Sequence, residues 1–243
     1  MRVLILAAGL GTRLKPITNK IPKCLVQVGK KSLLEHWLEK IENTEMNISE
    51  VFVNLFYKKE MVERFLKEVK TNLKIKTIIE DKLEGTGGTF LKLIHQNNDQ
   101  DLLVIHCDNF YDDTLNKFLE QAKHKFEKFN CDAVILVFRS KTPEQCGTLE
   151  INKEGKILKF WEKIENPLTD LSNGAIYLFS SQYLKKIINE YLHLSDIAKD
   201  LLEPNLANFF CYETKSYFCD IGNICALEET NIFLQTKVDL KKC

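Results

Sequence analysis

The stretch RVLILAAGLGTRL, Arg2 to Leu14, decides how the rest of the chain is read. Its first seven residues are an arginine and then an unbroken apolar run, the pattern of a strand covered on both faces. Two glycines follow at once, Gly9 and Gly11, and then Thr12 and Arg13. Glycines directly after a buried strand let backbone N–H groups approach phosphate oxygens, because no Cβ stands in the way. Two familiar phosphate loops do not apply. The dinucleotide fingerprint needs a third small residue where Leu14 stands, and the P-loop needs Gly-Lys-Ser/Thr where this chain has Thr12-Arg13-Leu14. What sets the loop apart from a plain tight turn is its charge. Arg13 and Lys23 put two fixed cations on it, at the carboxyl end of the first strand, where open α/β sheets bind ligands.

Outward from this loop, strand and helix patterns alternate. Ser32-Leu33-Leu34-Glu35 has capping-box spacing and opens a helix through Glu42. VFVNLF (51–56) reads as the second strand, and KKEMVERFLKEVK (58–70) as the second helix with Met61, Phe65 and Val69 on one face. LKIKTIIE (73–80) is the third strand. Glu84-Gly85-Thr86-Gly87-Gly88 reads as a turn that leads into the helix TFLKLIHQ. DLLVIHCD (101–108) is the fourth strand, DTLNKFLEQAKHKFEKF a helix, and DAVILVFRS the fifth strand. This rhythm predicts an α/β fold, a mostly parallel central sheet with helices on both faces. Beyond Lys141 the pattern changes to short strands: TLEIN and KILKFWEK around a turn at Glu154-Gly155, then AIYLFS. A helix (QYLKKIINEYL), a hairpin of FFCYE with SYFCD and a helix (ALEETNIFLQ) follow, with 238–243 as a solvated tail. With no repeats or low-complexity linkers, the expectation is a single domain, 1–237, in two halves at 1–140 and 141–237.

Composition bounds the partners. The 243 residues are 44% hydrophobic and 28% charged, as in folded globular proteins, which argues against disorder. Lys plus Arg and Asp plus Glu both number 34, so no global field draws the chain to nucleic acid or an anionic membrane. The N-terminal apolar run is too short for a signal h-region, and no later stretch approaches the length of a membrane span. Eight cysteines form no C-x-x-C pair and read as small buried thiols, and five histidines show no metal spacing. A cytoplasmic protein is expected. His36 and His124 are expected at the surface of helices, and Trp37 and Trp161 in the core.

The segment GLGTRLKPITNKIPKCLVQVGKKSLLEHWLEKI resembles the signature of the nucleotide-sugar pyrophosphorylases, the sugar-1-phosphate nucleotidyltransferases with a GT-A-like Rossmann-type fold. Further motifs extend the resemblance over almost the whole chain. EGTGGTFLKL resembles the family's base-binding turn, LVIHCDNF the strand ending in a metal-binding Asp, and YFCDIGN the closing motif that supplies a second carboxylate. CGTLEINKEGKILKFWEKIENPLTDLSNGAIYLF is similar to the sugar-binding half, which makes the second half the smaller, β-rich, sugar-binding portion. His106-Cys107 stand in place of the usual Asn-Gly or small pair, and Asn223-Ile224 in place of Thr-Pro.

The resemblance implies roles. Arg13 and Lys23 would be catalytic cations, the first on the β- and γ-phosphates and the second on the α-phosphate. Leu6, Ala7, Ala8, Gly9, Gly11, Thr12, Glu84, Gly85, Thr86, Gly87 and Asp108 would bind the nucleotide. Gly147, Glu162, Lys163 and Asn173 would meet the sugar phosphate. Asp108 and Asp220 would hold Mg²⁺, a hard ion that takes one or two carboxylates and fills its shell with phosphate and water. Expected partners are a nucleoside triphosphate and a sugar 1-phosphate, with a homo-oligomer left open. IHCDNF, FRSKTPEQCGTLEINKEGKI and SNGAIYLF look most like compact bacterial guanylyltransferases of the mannose or D-glycero-D-manno-heptose type, which feed capsule or lipopolysaccharide assembly. Uridylyl or cytidylyl transfer to another sugar 1-phosphate is the alternative. A catalytically silent homologue would have lost the loop cations or the metal carboxylates, and all four are here. A glycosyltransferase would carry Asp-x-Asp, whereas Asp112-Asp113 is adjacent. The sugar motifs also disfavour a phosphocholine cytidylyltransferase. The chain lacks the left-handed β-helix of bifunctional acetyltransferase relatives, so it reads as a stand-alone transferase.

Overall fold

The computed structural model describes residues 1–240. Strand β1 (Arg2–Leu6) runs into the glycine loop, which ends in a small ribbon of β2 (Gln27–Val28) and β3 (Lys31–Ser32). Helix α1 (Leu33–Glu42) starts on a complete capping box. The Ser32 side chain accepts from the Glu35 amide, and the Glu35 carboxylate accepts from the Ser32 amide. Then come β4 (Glu50–Leu55), α2 (Lys59–Glu68), β5 (Ile75–Ile79), α3 (Gly85–Gln96), β6 (Leu102–His106) and the short β7 (Asn109–Tyr111). The second half contains α4 (Asn116–Phe129), β8 (Ala133–Arg139), β9 (Gly147–Ile151), β10 (Ile157–Glu162), β11 (Leu171–Phe179) and α5 (Ser181–Glu190). A π-helical turn at Ile197–Leu202, β12 (Phe209–Glu213), β13 (Phe218–Asp220) and α6 (Ile224–Leu240) complete the described chain.

Nine strands form one sheet that runs through both halves. β5, β4, β1 and β6 lie side by side in parallel, β6 pairs antiparallel with β11, β11 with β8, and β8 parallel with β12. β9 and β10 form a hairpin attached through β9 to the first part of β11. Only β10 and β11 run against the rest, so the sheet is mixed and mostly parallel. The chain moves outward from β1 to β4 and β5, then returns to lay β6 on the other flank of β1. That reversal leaves a crevice beyond the carboxyl ends of β1 and β6.

Alternate residues of each central strand enter different cores. Val3, Ile5, Val51, Val53, Leu103 and Ile105 pack with Trp37, Val62, Phe118 and Leu227, which places α1, α2, α4 and α6 on one face. Leu4, Phe52, Leu102 and Val104 pack with Phe90 and Leu184, which places α3 and α5 on the other.

Several local expectations are corrected. On α2 the buried residue is Val62, with Phe65 and Leu66 half-buried beside it. Met61 faces outward because the helix turns its apolar stripe by one position. The Gly85–Gly88 segment is already the first turn of α3. FFCYE and SYFCD do not pair with each other: β12 joins β8 in parallel and β13 joins β7 antiparallel. α6 continues through Leu240. Val238, Asp239 and Leu240 of the expected tail are therefore helical, and Lys241, Lys242 and Cys243 lie outside the described residues. His36 is half-buried, with its Nε2 2.8 Å from the Val28 carbonyl oxygen and its ring edge-on to Phe110. Trp37 is fully buried, whereas Trp161 is only half-buried, with Lys159 over its ring. No helix is long and apolar enough to cross a membrane among the described residues.

Candidate active site

Four strand ends meet at the crevice. Leu6 closes β1, Asn54 lies one residue from the end of β4, Glu80 follows β5, and His106 closes β6. All four line one cavity of about 170 Å³. Of the residues expected to bind nucleotide, Leu6, Ala7, Ala8, Gly9, Gly85, Thr86 and Asp108 line it too, as does Lys23.

The glycine loop reaches this place by folding back on itself. Gly11 sits at φ +62, and a Cβ there would come within 2.8 Å of Thr18 Cγ2 and 3.0 Å of Lys23 Cβ. The Thr18 hydroxyl donates to the Gly11 carbonyl at 2.8 Å, and the Tyr57 hydroxyl donates to the Thr18 carbonyl at 2.9 Å. Leu14, fully buried, anchors the loop to the core. This fold-back delivers Lys23, itself only 8% exposed, to the cavity floor. Thr12 and Arg13 stay on the exposed outer turn.

Lys23 Nζ donates to Asp108 Oδ2 at 2.7 Å and lies 3.8 Å from Asp220 Oδ1. A ribbon of β7 and β13 brings the two aspartates together across more than a hundred residues of sequence. Asp220 pairs with Asn109, and the Ile221 amide donates to the Asp108 carbonyl at 2.8 Å. Two further bonds hold this ribbon on the fold. Trp37 Nε1 donates to the Asn109 carbonyl at 2.9 Å, and Asn109 Nδ2 donates to the Gly174 carbonyl at 3.0 Å. Burial works to raise the Asp108 pKa, but the Lys23 ammonium, the nearby His106 and the Lys23 hydrogen bond outweigh it and hold the carboxyl below its usual value. Asp220 lies farther from Lys23 and is raised, by burial first and then by the Asp108 charge. Arg13 approaches this second carboxylate. A Cβ on Gly222 would meet Arg13 Nη2 at 2.9 Å and Asp220 Oδ2 at 3.0 Å.

Among the described residues no group of three or more His, Cys, Asp or Glu side chains is placed to hold a metal. Two carboxylates around one ammonium suit a hard cation whose remaining ligands are phosphate oxygens and water, so the donor set fits Mg²⁺ and does not fit a closed structural metal site.

The glycine-rich start of α3 is half occupied by the protein itself. Gly85 has φ +74, and its ideal Cβ would lie 2.1 Å from the Ser195 carbonyl oxygen. The Gly87 amide, expected to face nucleotide, donates to that same oxygen at 3.1 Å, which turns it away from the cavity. Glu84 is likewise turned out, its carboxylate paired with Lys92 at 3.0 Å. Near this turn the carboxylate that lines the cavity is Glu80, 3% exposed.

The expected sugar residues lie outside this cavity. Gly147 and Glu162 face each other across the β9–β10 hairpin, close enough that a Cβ on Gly147 would sit 2.7 Å from Glu162 Oε2. Lys163 Nζ lies 3.3 Å from Glu162 Oε1. Asn173 uses its amide locally, accepting from the Ala175 amide at 2.8 Å and donating to the Tyr177 hydroxyl at 2.9 Å. Those bonds hold the irregular step in β11, so its side chain carries a structural task.

Asn54, Glu80, Cys24, Leu83, His106 and Cys107 line the cavity without a predicted binding role. The one sequence signal for Asn54 was a polar residue inside the apolar run VFVNLF. Burial lowers the His106 pKa, against the opposite pull of Asp108 and Asp196, and its Nε2 has no hydrogen-bond partner among the described residues. Burial also pushes the Cys24 thiol up to about 12, so at neutral pH it is an unreactive apolar wall.

Comparison with known proteins agrees with this geometry. The chain matches the family described as nucleotidyl transferase over residues 2–237. It is 29% identical over 245 residues to the bifunctional protein GlmU of Methanocaldococcus jannaschii, covering 98% of this chain and 55% of that protein. The chain therefore spans about half the length of that relative. It is 28% identical to the D-glycero-alpha-D-manno-heptose 1-phosphate guanylyltransferase of Campylobacter jejuni, covering 91% of this chain and 95% of that one. The crystal structure of HddC from Yersinia pseudotuberculosis complexed with GMP-PN has a TM-score of 0.74 at 27% identity, covering 96% of this chain and 99% of HddC. With the family match spanning the glycine loop, both aspartates and the β9–β10 hairpin, the chain belongs to the nucleotidyl transferase family.

Proposed function

We propose that the chain transfers a nucleotidyl group from a nucleoside triphosphate to a sugar 1-phosphate and releases pyrophosphate. The observation that carries this reading is the buried Lys23 ammonium set between Asp108 and Asp220 at the switch point of the sheet. An oxygen of the sugar phosphate attacks the α-phosphorus in line, a new P–O bond forms, and the bond to the β-phosphate oxygen breaks. The nucleophile is already anionic at neutral pH, so no general base is required. The barrier is repulsion between polyanions and charge on the leaving group, which fixed cations and positioning lower. Lys23 suits the α-phosphate as a point charge. Arg13, planar and bidentate, suits the departing pyrophosphate. Asp108 and Asp220 would hold Mg²⁺, which supplies charge neutralisation at the phosphates. Glu162 would accept from sugar hydroxyls and Lys163 would meet the sugar phosphate.

The proposed triphosphate is GTP, and the proposed sugar is mannose 1-phosphate or D-glycero-D-manno-heptose 1-phosphate, for capsule or lipopolysaccharide assembly. Support comes from the near end-to-end likeness to a protein named as a heptose 1-phosphate guanylyltransferase and from the likeness to a structure holding GMP-PN. The cavity adds a physical argument. Guanine offers N1–H and N2–H₂ as donors, and Glu80 is a carboxylate on the wall away from Lys23. Its Oε2 accepts only the Glu84 amide, at 3.2 Å, among the described residues. The test is a grid of nucleoside triphosphates against sugar 1-phosphates with Mg²⁺, scored by pyrophosphate release. The expected maximum is GTP with a manno-configured sugar. A higher kcat/KM with UTP or CTP overturns the guanylyl assignment, and no pyrophosphate from any pair overturns the reaction.

A further inference from the structure

Asn54 is a buried amide in a strand whose neighbours Val53 and Leu55 are fully apolar. A buried amide is tolerated there only if both ends are hydrogen-bonded. Both are. Oδ1 accepts from the Ala7 amide at 2.5 Å, at the point where the chain leaves β1 for the glycine loop. Nδ2 donates to Glu80 Oε1 at 2.8 Å and reaches the Thr89 hydroxyl at 3.3 Å. Thr89 in turn donates to Glu80 Oε1 at 2.5 Å, and the other Glu80 oxygen takes the Glu84 amide. A continuous chain of bonds therefore runs from Ala7 through Asn54 and Glu80 to the entry of α3. Ala7, Asn54, Glu80 and Gly85 all line the same cavity.

The chemistry of the chain fixes its orientation. The Ala7 amide can only donate and the Glu80 carboxylate can only accept, so an asparagine with Oδ1 toward one and Nδ2 toward the other satisfies both. Leucine, of similar shape, would orphan the Ala7 amide and leave Glu80 with only the Thr89 hydroxyl and the Glu84 amide. Aspartate would set two carboxylates against each other. The two ends of the chain are the glycine loop after β1 and the first turn of α3, where the nucleotidyl-transfer reading puts the phosphates and the base. Their separation sets whether both ends of one triphosphate fit.

We propose that Asn54 is a positioning residue that, through Glu80, fixes the phosphate loop relative to the base end of the cavity. This rests on the nucleotidyl-transfer reading, and deepens it by locating the control of triphosphate affinity in a bond network that touches neither the metal carboxylates nor the sugar residues. The experiment measures binding of GTP and of inorganic tripolyphosphate, each with Mg²⁺, by calorimetry in the wild type, Asn54→Leu and Glu80→Gln. KM values for both substrates are measured alongside. Tripolyphosphate has no base, so it reads the phosphate loop alone. The expected result is a loss of about tenfold or more in affinity for both ligands in both variants, the size of one buried charge-assisted bond, with the sugar-phosphate KM changed by less than about threefold. If Asn54→Leu does not fold, Glu80→Gln with tripolyphosphate decides alone. Unchanged tripolyphosphate affinity in Glu80→Gln would mean that Glu80 acts on the base only, and overturns the coupling. Equal increases in both KM values, or a lower melting temperature with unchanged affinities, also overturn it. A wild type that turns over triphosphate while the variants match it defeats this inference alone. A wild type that binds and turns over no triphosphate defeats the functional reading beneath it.

Discussion

Replacing Lys23 by methionine isolates the charge at the centre of the site. Lys23 is 8% exposed, so Lys23→Ala would also open a cavity beneath the glycine loop, whereas the unbranched methionine stem keeps most of the packing. The substitution leaves Asp108 without its partner at 2.7 Å and Asp220 without a cation at 3.8 Å. At an effective dielectric near 20, a unit charge about 4 Å from another is worth about 4 kcal/mol. Only the part that grows between the bound triphosphate and the transition state accelerates the reaction. Removal of one such group from a preorganised site costs about 3 kcal/mol, on the order of 10²-fold in kcat. The assay is steady-state pyrophosphate release at saturating triphosphate, sugar phosphate and Mg²⁺, with circular dichroism and a melting curve on the same sample. A kcat within about threefold of wild type in a folded Lys23→Met variant refutes the argument, because an effect so small leaves no electrostatic role for this ammonium.

Asp108→Asn and Asp220→Asn keep the shape of the site but remove the charge proposed to hold Mg²⁺, so each is expected to abolish most activity and raise the Mg²⁺ concentration needed for half-maximal rate; native activity that survives EDTA contradicts this. Glu162→Gln or Lys163→Ala should raise the sugar-phosphate KM or lower kcat while GTP affinity, measured by calorimetry, stays near wild type; loss of GTP affinity with an unchanged sugar-phosphate KM reverses the assignment. Gly85→Ala forces a Cβ to within 2.1 Å of the Ser195 carbonyl at φ +74, and is expected to destabilise the fold by roughly 3 kcal/mol. For a chain of this length that is a fall of roughly 10 °C in Tm, and an unchanged Tm would show that the 194–196 segment yields freely.

The sequence by itself determined the parts of this protein that depend on local spacing. The apolar run Val3 to Ala8, the capping box at Ser32 and Glu35, and the turn at Glu154-Gly155 each state their structure within a few residues. Gly9, Gly11, Arg13 and Lys23 likewise mark a candidate phosphate loop, because glycines after a buried strand expose backbone amides and the two cations add fixed charge beside them. Only the tertiary structure decided what depends on contacts between distant segments. FFCYE and SYFCD look like a hairpin in sequence, but β8 offers β12 a parallel partner and β7 claims β13, and it is this second pairing that brings Asp220 to Asp108. Gly87 and Glu84 match a nucleotide-binding motif, yet Ser195 and Lys92 occupy them, while Glu80, a few residues upstream, turns into the cavity. Asn54 finds Ala7 47 residues away and Glu80 26 residues away. No periodicity encodes such a link, because a hydrogen bond across the sheet depends on which strands become neighbours, and that is settled by the burial of both faces of the sheet together.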